Sequence, residues 1–125
     1  MILDTNALSA WWNDDNAIVR VIETAAQIYV PVPALAEFRF GICQSRKRKI
    51  MESWMQRALT STHILGIDDA TTFHYAELRL ALKTRGTPIP MNDLWIAAIA
   101  RQHSLPIVSR DTHFDLVEGI QRIAF

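Results

Sequence analysis

Four acids stand where they suit phosphate chemistry: Asp4 directly after Met1-Ile2-Leu3, Glu37 four residues past Pro33, Asp93 after Asn92, and Asp111 three residues past Val108. Taken singly, each has an ordinary structural explanation. The helix dipole favours an acid in a first helical turn by roughly 0.3–1 kcal/mol, which covers Asp93, and Asp4 or Asp111 can satisfy turn amides. Glu37 fits that view least, because its neighbours are apolar and no Lys or Arg stands three or four residues away. If the four converge, their mutual repulsion raises pKa values and costs on the order of 1–3 kcal/mol unless a cation neutralises them. Carboxylate ligands with no Cys, and no His adjacent to Asp4, Glu37 or Asp93, favour Mg²⁺ or Mn²⁺ over zinc. His113, near Asp111, is the exception, and a turn or helix-cap role is expected for it. Mg²⁺ held by one or two carboxylates keeps waters and accepts phosphate oxygens, so this donor set suits phosphodiester hydrolysis.

Acids so far apart in sequence converge only if the fold carries them to one rim. Met1-Ile2-Leu3 reads as a very short buried strand, with Asp4-Thr5-Asn6 at its end as a turn. The capping cluster Asn13–Asn16 precedes Ile18, Val19, Ile22, Ala25 and Ala26 at helical spacing, so the first helix is expected there. Ile28-Tyr29-Val30 is a second strand, and Pro33 can open the helix that carries Glu37. Helix is expected again from Ser45 to Thr60, with Ile50, Trp54 and Ala58 on one stripe and Met51, Met55 and Leu59 beside it. Ile64-Leu65-Gly66-Ile67 is a third strand, followed by a helix capped at Asp68-Asp69 that ends near Gly86. Asn92 is expected to cap the helix of Leu94, Ile96, Ala97, Ala98 and Ala100, with Pro106-Ile107-Val108 as a fourth strand and a short last strand in Gln121–Phe125. Alternating strands and helices predict an α/β fold with a mainly parallel sheet, and ligands there bind beyond the carboxyl ends of the strands. Asp4 and Asp111 follow strands, and Glu37 and Asp93 begin helices, at that rim.

The segments Leu3-Asp4-Thr5-Asn6, Ala36-Glu37-Phe38 with Gly41-Ile42, Asn92-Asp93-Leu94-Trp95-Ile96-Ala97-Ala98 and Val108-Ser109-Arg110-Asp111-Thr112-His113-Phe114 resemble, in order, the motifs of the PIN-domain family, and most closely those of VapC toxins. The resemblance covers essentially the whole chain, residues 1–125, as a single domain. It implies a three-layer sandwich with a mainly parallel sheet flanked by helices, and a Mg²⁺- or Mn²⁺-dependent endoribonuclease restrained by a VapB antitoxin, acting as a homodimer in the cytoplasm. It places Asp4, Glu37, Asp93 and Asp111 on the family's catalytic acidic positions, with Asp4 and Asp93 as direct metal ligands, and Asn6 and Ser109 on its polar supporting positions. The short segment before Asp4 is a mild departure.

The 125 residues carry 13 basic and 13 acidic side chains, so no global field recruits a polyanion or a membrane. Half the chain is hydrophobic, which suits one globule and excludes disorder. Cys43, the single cysteine, has no internal disulfide partner and fits a reducing compartment. No basic leader opens the chain, and Leu94–Ala100 is far shorter than the ~18 residues of a membrane span. Arg46-Lys47-Arg48-Lys49 is either a solvated helix face or a contact for RNA phosphates. Trp54 and Trp95 are expected in or near the core. One of Trp11 and Trp12 is expected to line a groove for the antitoxin or a second copy. An aspartyl phosphatase needs a second Asp where Asn6 stands. A receiver-like Mg²⁺ module needs a late lysine, and the second half offers only Lys83, inside a helix. A PIN domain kept purely for protein binding would not retain all four acids.

Overall fold

Every strand is two or three residues long. The computed structural model describes residues Met1–Phe125, with β1 (Ile2–Leu3), β2 (Tyr29–Pro31), β3 (His63–Leu65), β4 (Ile107–Val108) and β5 (Arg122–Ile123) in one sheet of order β3-β2-β1-β4-β5. All four pairings are parallel. Ile2, Leu3, Ile107 and Val108 are fully buried, as central strands of a parallel sheet covered on both faces must be.

The helices are α1 (Thr5–Trp12), α2 (Asn16–Glu23), α3 (Val32–Gln44), α4 (Arg48–Thr60), α5 (Asp69–Thr84) and α6 (Met91–His103), and a 3-10 turn spans Thr112–Leu116. Right-handed crossovers carry α1 to α4 over one face, because β1, β2 and β3 step one way across the sheet. The return from β3 to β4 carries α5 and α6 over the other face. The chain reverses its direction of travel at β1 and β4, so the crevice of this sheet opens beyond their carboxyl ends.

Three local readings of the sequence are corrected. The segment after Asp4 is a helix and not a turn: the Asp4 side chain caps α1 by accepting from the Ala7 amide, and Ala7, Leu8 and Ala10 bury the inner face. Asn92 does not cap α6, whose capping position is Pro90. The α4 stripe is rotated, with Met55 and Ala58 buried and Ile50 exposed. Boundaries shift too: α2 ends at Glu23, before Ala25 and Ala26, α4 starts at Arg48 and not Ser45, and the third strand is His63–Leu65 and not Ile64–Ile67. The ends of α5 hold. Asp68 and Thr71 form a capping box at the start of α5, and Gly86, at φ +69°, takes the left-handed position after its end. Trp95 stacks on Tyr75 with centroids 4.0 Å apart, tying α6 to α5.

The interior of α6 is buried continuously from Ile96 to Ala100, and its small side chains let helix and sheet approach closely. Phe114, fully buried in the 3-10 turn, anchors the loop after β4 to that core. Phe114→Ala should cost about 3–5 kcal/mol of stability in urea unfolding. A loss below about 1 kcal/mol would show that the loop does not depend on this anchor.

Candidate active site

The register Leu3↔Val108 sets the next residues of the two strands, Asp4 and Ser109, side by side. The Ser109 hydroxyl donates to Asp4 Oδ2 at 2.5 Å, and Asn6 Nδ2 donates to the same oxygen at 2.9 Å. The Ala7 amide donates to Asp4 Oδ1 at 2.9 Å. Ser109 Oγ in turn accepts from the Asp111 amide at 2.9 Å, and Asn6 Oδ1 accepts from the Arg110 amide at 3.0 Å. The ends of β1 and β4 are thus laced together around one carboxylate. From below, Arg122 donates to the Ser109 carbonyl at 3.0 Å and pairs doubly with Asp115 at 2.8 Å, holding the loop's base.

Glu37 comes from the second turn of α3 and is exposed, its carboxylate leaving the apolar segment around it as expected. Its Oε2 accepts from Thr5 Oγ1 at 2.9 Å and from Asn92 Nδ2 at 3.4 Å, and Oε1 has no protein donor. Asp93 sits in the first turn of α6, half-buried, where the helix dipole favours its charge. Asp4, Glu37, Asp93 and Asp111 line one cavity of about 520 Å³, so the four acids separated in sequence share one rim.

His113 lies inside this constellation. Its amide donates to Asp111 Oδ1 at 2.9 Å, which is the expected cap role, but its ring Nδ1 also stands 3.1 Å from Asp93 Oδ2 and 3.0 Å from Asp111 Oδ1. Ligand atoms of Asp93, Asp111 and His113 lie within 4.8 Å of one another, close enough to share a cation. Two carboxylates and an imidazole, with Asp4 in the same cavity, suit a divalent cation, and the ring adds a nitrogen donor to the oxygen set expected from sequence.

Burial pushes the Asp4 carboxyl up from its ordinary 3.8 to about 6, against the hydrogen bonds from Ser109 and Ala7, and nearby Asp93 and Asp111 add to the rise. Burial also raises the Asp93 carboxyl, with His113 opposing and Asp111 and Glu37 adding. Desolvation is therefore the leading cause and carboxylate repulsion the lesser one, the reverse of the weighting expected from sequence.

Residues 1–120 match the PIN domain family. The chain is a PIN domain. Ribonuclease VapC5 of Mycobacterium tuberculosis is 30% identical over 95 residues, covering 74% of this chain and 70% of that protein. Toxin FitB of Neisseria gonorrhoeae is 29% identical over 122 residues, covering 90% and 88%. The crystal structure of VapBC2 from Rickettsia felis bound to a promoter DNA fragment matches with a TM-score of 0.90 at 26% identity, covering 98% of this chain and 96% of that one.

Around this PIN-domain cavity, Thr5 and Asn92 hold Glu37, and Asp15 and Arg110 are among the other lining residues, roles that residue type and spacing did not assign to them. The basic run is exposed at the turn between α3 and α4. Arg48 pairs with Glu52 at 2.9 Å, while Lys47 lines an adjoining groove with Glu37 and Trp12. Trp11 and Trp12 are both half-buried, edge-on to Trp54 at 5.3 and 5.6 Å, so Trp12 is the indole of the pair that reaches this groove. No helix is long and apolar enough to cross a membrane.

Because the folded value of Asp4 lies above its unfolded one, the fold favours the protonated acid. This stabilisation is full below about pH 4 and is lost as pH rises through about 6, a difference corresponding to about 3 kcal/mol. In chelator, thermal melts of the native chain should lose stability across that window, and Asp4→Asn should lack this component. Parallel pH profiles for the two proteins would contradict the assignment.

Proposed function

We propose that this chain is an endoribonuclease of the VapC type, a toxin that hydrolyses RNA phosphodiesters with the help of Mg²⁺ or Mn²⁺ until a VapB-type antitoxin restrains it. The observation that carries the reading is the convergence of Asp4, Glu37, Asp93 and Asp111 on one open cavity beyond the ends of β1 and β4. The support from relatives is the naming of VapC5 as a ribonuclease and of FitB as a toxin, together with the likeness to a chain of the VapBC2 complex. A receiver-like alternative does not agree with membership of the PIN family.

In this reading Asp4 and Asp93 hold the ion, with Asp111 and the His113 ring beside Asp93 able to complete the set. When bound, a divalent cation supplies neutralising charge at the phosphate and polarises water for attack. The Asn6 and Ser109 donors keep the Asp4 carboxylate in one rotamer, with both oxygens fixed in direction. Glu37, pinned through Oε2 by Thr5 and Asn92, presents Oε1 to accept the proton of the attacking water. That water bonds to phosphorus, the P–O3′ bond breaks, and the 3′ oxygen takes a proton from solvent to leave as a hydroxyl opposite a 5′-phosphate, while Glu37 returns its proton to solvent. The cavity is open and polar, which suits a strand passing across it better than a small ligand enclosed within it.

Asp93→Asn should leave a folded chain by circular dichroism with RNA cleavage lost by at least about 10³-fold, and Asp4→Asn should do the same. Glu37→Gln should retain ion binding yet lose about 10²–10⁴-fold in rate, as removal of a general base does. Metal-dependent cleavage retained in both aspartate variants would overturn the assignment.

A further inference from the structure

We propose that Arg110 anchors an RNA phosphate at the mouth of the acidic cavity, with Asp15 and Phe125 holding its guanidinium ready. The inference rests on the endoribonuclease reading and adds a binding residue to it.

Five carboxylates and one cation line the cavity, and the cation is Arg110. The chain has no net charge with which to draw in a polyanion. A strand entering a carboxylate-lined cavity therefore needs a local positive group near its phosphates. Arg110 is placed for that task by contacts that leave part of it uncommitted. Its Nη2 donates to Asp15 Oδ2 at 2.5 Å. Its Nε reaches the Phe125 carbonyl at 3.5 Å, and its planar face lies 4.5 Å from the Phe125 ring centroid. Nη1 makes no hydrogen bond within the chain, and about half the side chain is exposed. A guanidinium oriented by one carboxylate and one aromatic ring, with an outward N–H edge, suits a phosphate oxygen.

The backbone supports the same conclusion. The Arg110 amide donates to Asn6 Oδ1, and Asn6 Nδ2 donates to Asp4, so the start of this side chain is registered to the acid at the centre of the site. Asp15 is itself fixed independently, because its Oδ1 accepts the Ala17 amide at the start of α2. A staple between α2 and the loop after β4 is the competing role for the pair. An ion pair this exposed adds little to stability, so a staple alone accounts poorly for three separate contacts converging on one arginine. Lys47, in the adjoining groove beyond Glu37, does not enter the cavity.

The test uses the full chain carrying Asp93→Asn, so that RNA is bound and not cut, with end-labelled fragments of total cellular RNA in filter binding over a range of salt. Arg110→Ala should weaken binding about tenfold and reduce the slope of log affinity against log salt by about 0.7, the value for one phosphate on a single strand. Arg110→Lys should keep the slope and recover part of the affinity, since it retains the charge without the planar fork. With Asp93 restored, Arg110→Ala should raise KM for RNA cleavage more than it lowers kcat. Unchanged affinity and slope in Arg110→Ala would overturn the proposal. Should that variant fold poorly in thermal melts, Arg110→Gln decides, since it keeps a polar side chain without the charge: affinity and salt slope equal to the parent's mark the arginine as a staple only. A native chain that cuts no RNA defeats the endoribonuclease reading itself. A native chain that cuts RNA, matched in KM and salt slope by Arg110→Ala, defeats only the role given to Arg110.

Discussion

A carboxylate taken out of water must be compensated, and the burial of Asp4 at 4% exposure is the constraint around which the molecule is arranged. Three donors offset part of the cost: the Ala7 amide, the Asn6 side chain and the Ser109 hydroxyl. Two come from the first turn of α1 and the third from the end of β4. All three reach the acid only because two-residue strands lie in the register Leu3↔Val108. A slip of one residue in that pairing would turn Ser109 to the opposite face and leave Asp4 short of a partner. Strands this short have no strength of their own. Their placement is enforced by full burial under helices on both faces and by the hydrogen bonds that cross their ends.

The other acids are brought in by helix starts. Asp93 occupies the first turn of α6, where partial positive charge from the backbone favours a carboxylate, and Glu37 lies in the second turn of α3. Each is held by the neighbouring element, Glu37 by Thr5 of α1 and Asn92 of α6, and Asp93 by His113 of the 3-10 turn. Asp4, Glu37 and Asp93 are each oriented by an element other than their own, and Asp111 by the amide and ring of His113 in the turn that it caps, so several segments meet at the site. Arg122, beneath the loop, extends this bracing to the edge strand β5. The consequence is a rigid, acid-lined cavity poised to take positive charge.

Much of this was legible in sequence because apolar triplets between helical stripes mark a parallel sheet, and acids that follow such triplets fall at its carboxyl rim. The positions of Asp4 and Asp111 follow from that rule alone, and Asp68 and Gly86 punctuate α5 as their types require. The helix α1 was missed because Asp4-Thr5-Asn6 has the composition of a turn, and its apolar inner face begins only at Ala7. Asn92 is of a type that favours caps, but Pro90 already fixes the entry to α6, and the Asn92 side chain reaches Glu37 instead. His113 and Arg110 carried no signal of proximity, since their partners Asp93 and Asp15 lie 20 and 95 residues away. The weighting of burial over repulsion at Asp4 depends on three-dimensional solvent exclusion, which residue types do not encode.

The account as a whole depends on one divalent ion finding its place among these side chains. Crystals of the chain soaked in Mn²⁺, with diffraction recorded at the manganese edge, address this directly. The account predicts an anomalous peak in the cavity bounded by Asp4, Asp93 and Asp111. A fully soaked crystal with no peak there, or with its only strong peak elsewhere on the surface, would contradict it.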